Sequence, residues 1–278
     1  VSCFFGEDEG FGDSSNIRAV LNESKAARDA FFVRLAILGL SPVTETFDSV
    51  VCGPANPACD IRTPFNLDFG DLTAEVTGGA AIQRLSTSTN GRGRFATSGD
   101  TYVDTPRQAS DVGLGFTVSF DKPTSVLGFY ATDVGERFAD QDPPAVGHLE
   151  LCFKDPGQCA PGQLDNIVVK DDLLNPVPGG SALFFGLISD EAFTKVTFLI
   201  HSRNELTGEF LLDSAADQFG FDDFTAGTRQ FAVPEPAGIV LLLAGVGLYA
   251  AGRRIGRRGG SRFSVWVALS THSRMSPA

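Results

Sequence analysis

The chain has 278 residues and carries 22 Lys and Arg side chains against 34 Asp and Glu, a formal net charge of −12. Residues 237–278 hold six Arg and no acid, so residues 1–236 keep 16 basic against 34 acidic groups, a formal −18. A surface of that sign repels phosphate backbones, which excludes nucleic acid as an expected partner.

The first predicted element is an amphipathic helix that begins near Asn22. Asn22 and Ser24 are both typical N-cap residues, and Gly39 is a typical stop. Apolar residues recur at helical spacing on one face, at Ala27, Phe31, Leu35 and Leu38. We therefore expect residues 1–43 to form an N-terminal segment with one helix that packs on an apolar surface.

Residues 44–229 differ in composition from the N-terminal segment. They consist of short runs rich in Phe, Val and Thr, separated by Gly, Asn, Asp and Pro. Strict alternation, as in Phe116, Val118 and Phe120, is typical of a strand with one buried face. This texture predicts a mainly β fold, a two-sheet jelly-roll-like β-sandwich. Candidate strands are Glu45–Val50, Phe65–Phe69, Leu72–Thr77, Ala81–Leu85, Arg94–Thr97, Thr101–Asp104, Leu114–Phe120, Ser125–Thr132, His148–Phe153, Asn166–Lys170, Ala182–Ile188, Lys195–His201 and Phe219–Ala226.

Four of the five cysteines form two pairs with the same spacing, Cys52 with Cys59 and Cys152 with Cys159. Each pair encloses Pro and Gly residues that reverse the chain, which favours two local disulfides in an oxidising compartment. A zinc site is a poor match, because paired thiolate ligands are normally closer in sequence. Pairing between the two loops stays open, and Cys3 is left over.

The sequence shows no catalytic arrangement. His148 and His201 both lie in predicted strands, and no serine has a nucleophile-elbow motif around it. We expect both to be structural. A glycan hydrolase built from two distant carboxylates stays a third hypothesis for function.

The end of the chain has three consecutive parts. Residues 230–236 form a linker that ends in Pro234, Glu235 and Pro236, and an uncharged run of 16 residues, 237–252, follows. Four arginines come next, Arg253, Arg254, Arg257 and Arg258. At 1.5 Å per residue the run reaches about 24 Å, enough for a thin bilayer. We expect 237–258 to be a C-terminal transmembrane helix with the arginines on the cytoplasmic side, and 259–278 a tail of unknown role.

This pattern resembles the PEP-CTERM sorting signal, in which exosortase, a membrane cysteine protease, recognises the Pro-Glu-Pro region. The resemblance implies exosortase as a partner, transient residence in the inner membrane, and then the cell surface or an extracellular matrix. An exported chain needs a leader, and the first residues, from Val1, lack the charged and apolar regions of one. We expect that leader to lie upstream.

The exported region also resembles an exosortase-dependent surface-protein family that has no established enzymatic activity. Two acidic positions depart from its pattern, with Asp48 in place of Glu and Glu136 in place of Asp. The matching blocks are Phe5–Asp8, Ala26–Phe31, Thr44–Asp48, Arg94–Gly99, Gly128–Gly135, Leu183–Gly186 and Phe219–Phe224.

Resemblance to jelly-roll domains also implies a structural calcium ion, held by acids on the first and last strands. Asp48 and Asp222 occupy comparable places, and Asp133 is a weaker candidate. Calcium takes six to eight oxygen ligands in flexible geometry. The alternative is that these acids cap turns or face water.

The leading hypothesis is a non-enzymatic exported surface or matrix protein. The alternative is a polysaccharide-binding module of an exopolysaccharide system. Sugar stacking favours exposed Trp and Tyr, yet the exported region has only Tyr102 and Tyr130, and Trp266 lies in the tail. Because such side chains are scarce, we favour the surface-protein hypothesis over a sugar-binding lectin.

Overall fold

A computed structural model describes residues 1–9, 21–50, 60–84, 94–105, 115–135, 137–138, 144–171, 180–211 and 219–228. The chain divides into two units, Val1–Arg229 and Gln230–Ala278, and every described residue lies in the first. Helix α1 spans Glu23–Ile37. The strands are β1 (Ser2–Glu9), β2 (Val43–Glu45), β3 (Ile61–Arg62), β4 (Phe65–Asp68), β5 (Thr73–Gly78), β6 (Ala81–Arg84), β7 (Thr101–Asp104), β8 (Phe116–Val134), β9 (Arg137–Phe138), β10 (Ala145–Cys152), β11 (Ile167–Asp171), β12 (Ser181–Asn204), β13 (Phe210–Leu211) and β14 (Gly220–Gly227).

The prediction of a mainly β fold with one N-terminal helix is confirmed. The strands belong to one hydrogen-bonded sheet with the path β11-β10-β12-β8-β14-β7-β6-β3, and β1 also pairs with β12. Strands β8 and β12 are long and antiparallel, and their register shifts near residues 188–195 of β12. The predicted strands Leu114–Phe120 and Ser125–Thr132 are therefore parts of one strand, β8. Likewise, the predicted strands Ala182–Ile188 and Lys195–His201 are parts of β12.

The sheet folds back on itself about β8 and β12. Phe116 and Phe129 lie in opposite halves of β8, yet both rings contact Phe198, at centroid distances of 4.4 and 5.0 Å. Both also contact Phe221 of β14, at 5.1 and 5.8 Å. We call the half with β1, β14 and residues 126–134 of β8 the front layer, and the half with β5, β10 and β11 the back layer. A phenylalanine core fills the space between the two layers.

Helix α1 packs on the outer face of the front layer. Its Phe31 and Leu35 form a second cluster with Val126, Tyr130, Phe184 and Ile188 of the sheet. Phe31 lies over Gly128 and Gly186, which face each other across β8 and β12. A Cβ atom at either glycine would come within 2.9 or 2.6 Å of the ring, so the paired glycines make the hollow that seats the helix. The predicted apolar helix face is confirmed.

Other predictions fail in detail. Residues 94–97 form no strand, and β1 was not predicted although it pairs with β12 over all eight of its residues. Within the described ranges no helix is long and apolar enough to cross a bilayer. The predicted transmembrane segment, 237–258, lies outside those ranges, as do the linker and the tail.

Candidate functional site

Two of the three predicted calcium residues, Asp48 and Asp222, reach the same turn, Thr97–Asp100. Asp222 lies on β14 opposite Tyr130 of β8, and the register shifts immediately after it. At that shift Asp223 takes a left-handed backbone conformation, with φ 51°. The irregularity places two consecutive carboxylates, 1% and 7% exposed, against the turn.

Asp222 accepts three hydrogen bonds from backbone N–H groups and also contacts one hydroxyl. Its Oδ2 accepts from the backbone N–H groups of Thr97 (2.8 Å) and Ser98 (2.9 Å) and contacts the Thr97 hydroxyl at 3.1 Å. Its Oδ1 accepts from the N–H of Asp223 at 2.7 Å. The Thr97 hydroxyl has one proton and lies equally close, at 3.1 Å, to Asp223 Oδ2, so it donates to one of the two carboxylates. Asp222 Oδ1 keeps one lone pair.

Asp223 and Asp48 hold the same turn from two other directions. The Ser98 hydroxyl donates to Asp223 Oδ1 at 2.7 Å, and the Asp100 N–H donates to Asp48 Oδ1 at 3.2 Å. A Cβ atom on Gly99 would lie 1.4 Å from that Asp48 oxygen, so the carboxylate fits only because residue 99 is glycine. We call Asp48, Asp222, Asp223 and the Thr97–Asp100 turn the aspartate clamp.

The electrostatics of the clamp are unfavourable at neutral pH. Burial raises the pKa of Asp222 well above its ordinary value, and the neighbouring Asp223 carboxylate raises it further. The hydrogen bonds from Ser98, Asp223 and Thr97 act in the opposite direction without offsetting the rise. A shared proton or a bound cation would relieve the repulsion between the two carboxylates.

The clamp does not present a ready calcium shell. Among the described residues no three His, Cys, Asp or Glu side chains lie close enough to hold a metal ion. Asp133 lies elsewhere, with φ 64° and its Oδ1 within 2.7 Å of a Cβ built on Gly180. Calcium at Asp48, Asp222 and Asp133 stays a prediction.

A second polar cluster lies on the outer face of the back layer. His148 and Glu150 of β10 are each 1% exposed, and His148 Nε2 lies 2.8 Å from Glu150 Oε1. Glu150 also accepts from the Gly162 N–H and from Asn166 Nδ2, the latter at 2.6 Å. Burial alone would raise the pKa of Glu150, but the bonds from His148, Asn166 and Gly162 hold it below its ordinary value.

His201 faces His148 across β10 and β12 but has no hydrogen-bond partner at either ring nitrogen. Burial lowers the pKa of His201 to about 4, and the neighbouring His148 adds to that effect. His148 Nδ1 is also without a hydrogen bond. Neither imidazole is therefore hydrogen-bonded to a hydroxyl or thiol, so the geometry does not supply an activated nucleophile at this pair.

The disulfide prediction is confirmed where the structure describes it. Cys152 and Cys159 are bonded, and Cys3 is a free, exposed cysteine. Cys52 and Cys59 lie outside the described residues, as do Pro234, Glu235, Pro236, Arg253, Arg254, Arg257 and Arg258.

Sequence reasoning missed Thr97, Ser98, Asp223 and Glu150. The consecutive polar residues of Thr97–Asp100 are typical of a turn, and they indicate one. They do not indicate which side chains the turn contacts, because 124 to 126 residues separate the turn from the two aspartates on β14.

Comparisons with models of protein families, with curated proteins and with solved structures give no match.

Proposed function

We propose that the chain is a non-enzymatic surface or extracellular-matrix protein, exported and then sorted by exosortase through Pro234–Pro236, the apolar run and the arginine cluster. The structural observation that supports export is the Cys152–Cys159 disulfide. Such bonds persist in oxidising compartments and are rare in the cytosol. The sequence pattern supports the sorting route, and the disulfide supports an oxidising compartment.

In this proposal the described domain is the part of the chain that is exported. It is a jelly-roll-like sandwich whose two layers enclose the phenylalanine core. The division of the chain between Arg229 and Gln230 falls at the predicted linker, four residues before Pro234. Two of its buried polar clusters serve the fold, because the clamp holds a turn in place and Glu150 holds a loop in place. Such roles are consistent with a protein that acts by being placed at a surface.

The polysaccharide-binding alternative has less structural support. Sugar rings stack on exposed aromatic faces, but Tyr102 and Tyr130 are 1% and 4% exposed. Among the large apolar side chains that are exposed in the described part of the chain, Phe5 is the aromatic one. Binding to a glycan array without cleavage would favour the alternative, and shortening of a polymer would favour a hydrolase.

The sorting proposal is tested by the mass of the protein recovered from the cell surface. The full chain, expressed with a leader in a host that has exosortase, should mature to a form that ends near Pro236 and lacks Trp266. Glu235→Ala, or deletion of the exosortase, should leave Trp266 on the chain, whereas Glu209→Ala, at an exposed acid of the domain, should mature normally. Surface protein that retains Trp266 in the unmodified chain would make the segment a permanent anchor.

A further inference from the structure

The buried histidine pair on the back layer lies beneath a cover made of two segments. The first is the loop from Lys154 to Asn166, which the Cys152–Cys159 disulfide closes at its start and which Glu150 fastens through Gly162 and Asn166. The second is β13, whose Phe210 ring contacts both imidazoles at 5.5 Å. We call these two segments the histidine cover.

The two segments of the cover depend on each other. A Cβ atom on Gly162, which has φ 70°, would lie 2.6 Å from the Phe210 ring, so the loop and the ring are packed without a gap. Arg203 of β12 places its guanidinium 4.9 Å from the centre of the same ring and donates to the carbonyl of Gly208 at 2.8 Å. Movement of Phe210 would therefore loosen the whole cover.

The acidic groups that face the pair lie at His148 rather than at His201. On β10, Glu150 is bonded to His148, and on β11 Asp171 lies 3.6 Å from His148 Nδ1. Asp171 is already paired with Arg203, the cation on β12 that lies over the Phe210 ring. His201 has no hydrogen-bond partner, and its ring centre lies 6.4 Å from that of His148.

We propose that His148 and His201 form an acid-sensitive latch, which keeps the histidine cover closed while His201 is neutral and releases it when His201 gains a proton. A buried imidazolium at His201 would lack a hydrogen-bond partner. Water reaches His201 most directly when Phe210 and the loop lift away. Opening would expose Glu150 and the Cys152–Cys159 disulfide, while the phenylalanine core between the layers stays closed.

The size of the effect follows from proton linkage. The pKa of His201 under the closed cover is about 4, against an ordinary value of 6.5 that an open cover would restore. The open state then binds more protons between these two values, so acid favours opening. Between pH 7 and pH 4 the equilibrium constant for opening should rise by roughly 100-fold.

Hydrogen exchange of the full chain at pH 7 and pH 4, corrected for the intrinsic rates, tests this latch. Amides of residues 153–166 should lose protection by that factor at pH 4, while β8 keeps its protection. His201→Phe, which replaces the unpartnered imidazole by an apolar ring, should abolish the loss, and His272→Gln, outside the cover, should not. If His201→Phe does not fold, His201→Leu replaces it in the same experiment. The NMR titration of His201 in the unmodified chain then gives a second, independent test.

Four results would overturn the proposal. The first is a loop that stays protected at pH 4 in the unmodified chain. The second is an equal loss in His201→Phe, and the third is loss of protection in β8 together with the loop. An NMR pKa of His201 near 6.5 would also contradict it.

Discussion

Lys170 and Glu7 join the back and front layers of the folded sheet. The ammonium group of Lys170, on β11 at the edge of the back layer, binds the carboxylate of Glu7, on β1 in the front layer and 163 residues earlier. Their side chains are 4% and 13% exposed. This ion pair ties β1 to β11 at one side of the phenylalanine core.

A β-bulge directs Lys170 inward. The register of β10 and β11 shifts between Leu149 and Glu150, where Leu149 pairs with Lys170 and Glu150 pairs with Val168. Val169 is the extra residue, and it packs in the core together with Leu149. Residues that pair across strands share a face, so Lys170 also points between the layers.

Removing one member of this pair should destabilise the domain strongly. Lys170→Met would leave the Glu7 carboxylate without its cation in a largely buried position, and we expect a loss of roughly 2 to 4 kcal/mol in the free energy of unfolding. Denaturant unfolding measures it. Lys195→Met is the matched control, because its pair with Asp155 is exposed and should contribute under about 1 kcal/mol.

The double variant Glu7→Leu with Lys170→Met should recover much of that loss, since it removes both charges rather than one. If Lys170→Met unfolds at the same denaturant concentration as the unmodified chain, the pair is not buried as described.

Asp8 of β1 caps the N-terminus of helix α1. Its carboxylate accepts from the backbone N–H groups of Asn22, Glu23 and Ser24, at 2.9 to 3.0 Å, and from the Ser24 hydroxyl at 2.5 Å. Asn22 occupies the N-cap position but makes no side-chain cap hydrogen bond. Asp8→Ala should therefore cost about 1 to 2 kcal/mol, and Asn22→Ala should cost a few tenths. Equal losses in the two variants would contradict this assignment.

The cap also predicts a pH dependence. Burial alone would raise the pKa of Asp8, but the bonds from Ser24, Glu23 and Asn22 hold it below the ordinary 3.8. Because the folded pKa is the lower one, the stabilisation is complete above the unfolded value and is lost as pH falls through the folded value. Thermal midpoints measured from pH 5 to pH 2 should show this loss in the unmodified chain and less of it in Asp8→Asn.

The aspartate clamp predicts a substitution that stabilises the domain. Asp223→Asn removes the charge that raises the pKa of Asp222, and Asn tolerates the left-handed conformation of residue 223. We expect a gain on the order of 1 kcal/mol at pH 7. Since the folded pKa of Asp222 is raised, the unmodified chain should gain stability as pH falls through that pKa, and Asp223→Asn should gain less. A lower thermal midpoint at pH 7 for Asp223→Asn would contradict repulsion as the dominant effect.

Calcium binding is tested with the unmodified chain and with Asp222→Asn. An ion bound by the folded state alone raises the thermal midpoint through RT ln(1 + [L]/Kd). If Asp48 and Asp222 hold calcium, the midpoint should rise between chelator and millimolar calcium at matched ionic strength, and Asp222→Asn should remove the rise. An unchanged midpoint in the unmodified chain would leave these acids as a hydrogen-bonded clamp.

The sequence predicts the elements whose signals are local. The helical spacing of Phe31 and Leu35 and the alternation from Phe116 to Phe120 both report a buried face, and both elements form where expected. Strand β1 has no such alternation, because its Phe4 faces the helix and its neighbour Phe5 is half exposed. Its pairing with β12 depends on residues far away in the chain.

The contacts that specify the site are long-range. Asp8 reaches the helix across 14 to 16 residues, whereas the clamp joins residue 98 to residues 222 and 223. The bulge at Val169 and the hollow at Gly128 and Gly186 are set by neighbouring strands rather than by their own segments. Spacing in one sequence carries no signal for such pairings, which explains why the cap, the clamp partners and Lys170 were not predicted.

The disulfides provide the final prediction. Peptide mapping without reductant, on protein from an oxidising compartment, should recover Cys152 linked to Cys159 and Cys52 linked to Cys59, with Cys3 as the free thiol. The chain-entropy estimate for the loop closed by Cys152 and Cys159 is about 2.5 kcal/mol, so replacing both by Ala should lower the free energy of unfolding by up to that amount. The loss should extend to the histidine cover, because the same loop supplies the Gly162 and Asn166 bonds to Glu150. Cys3→Ser is the matched control and should change nothing. Recovery of Cys152 and Cys159 as free thiols, or a cross-link between Cys52 and Cys159, would contradict the prediction of local pairs.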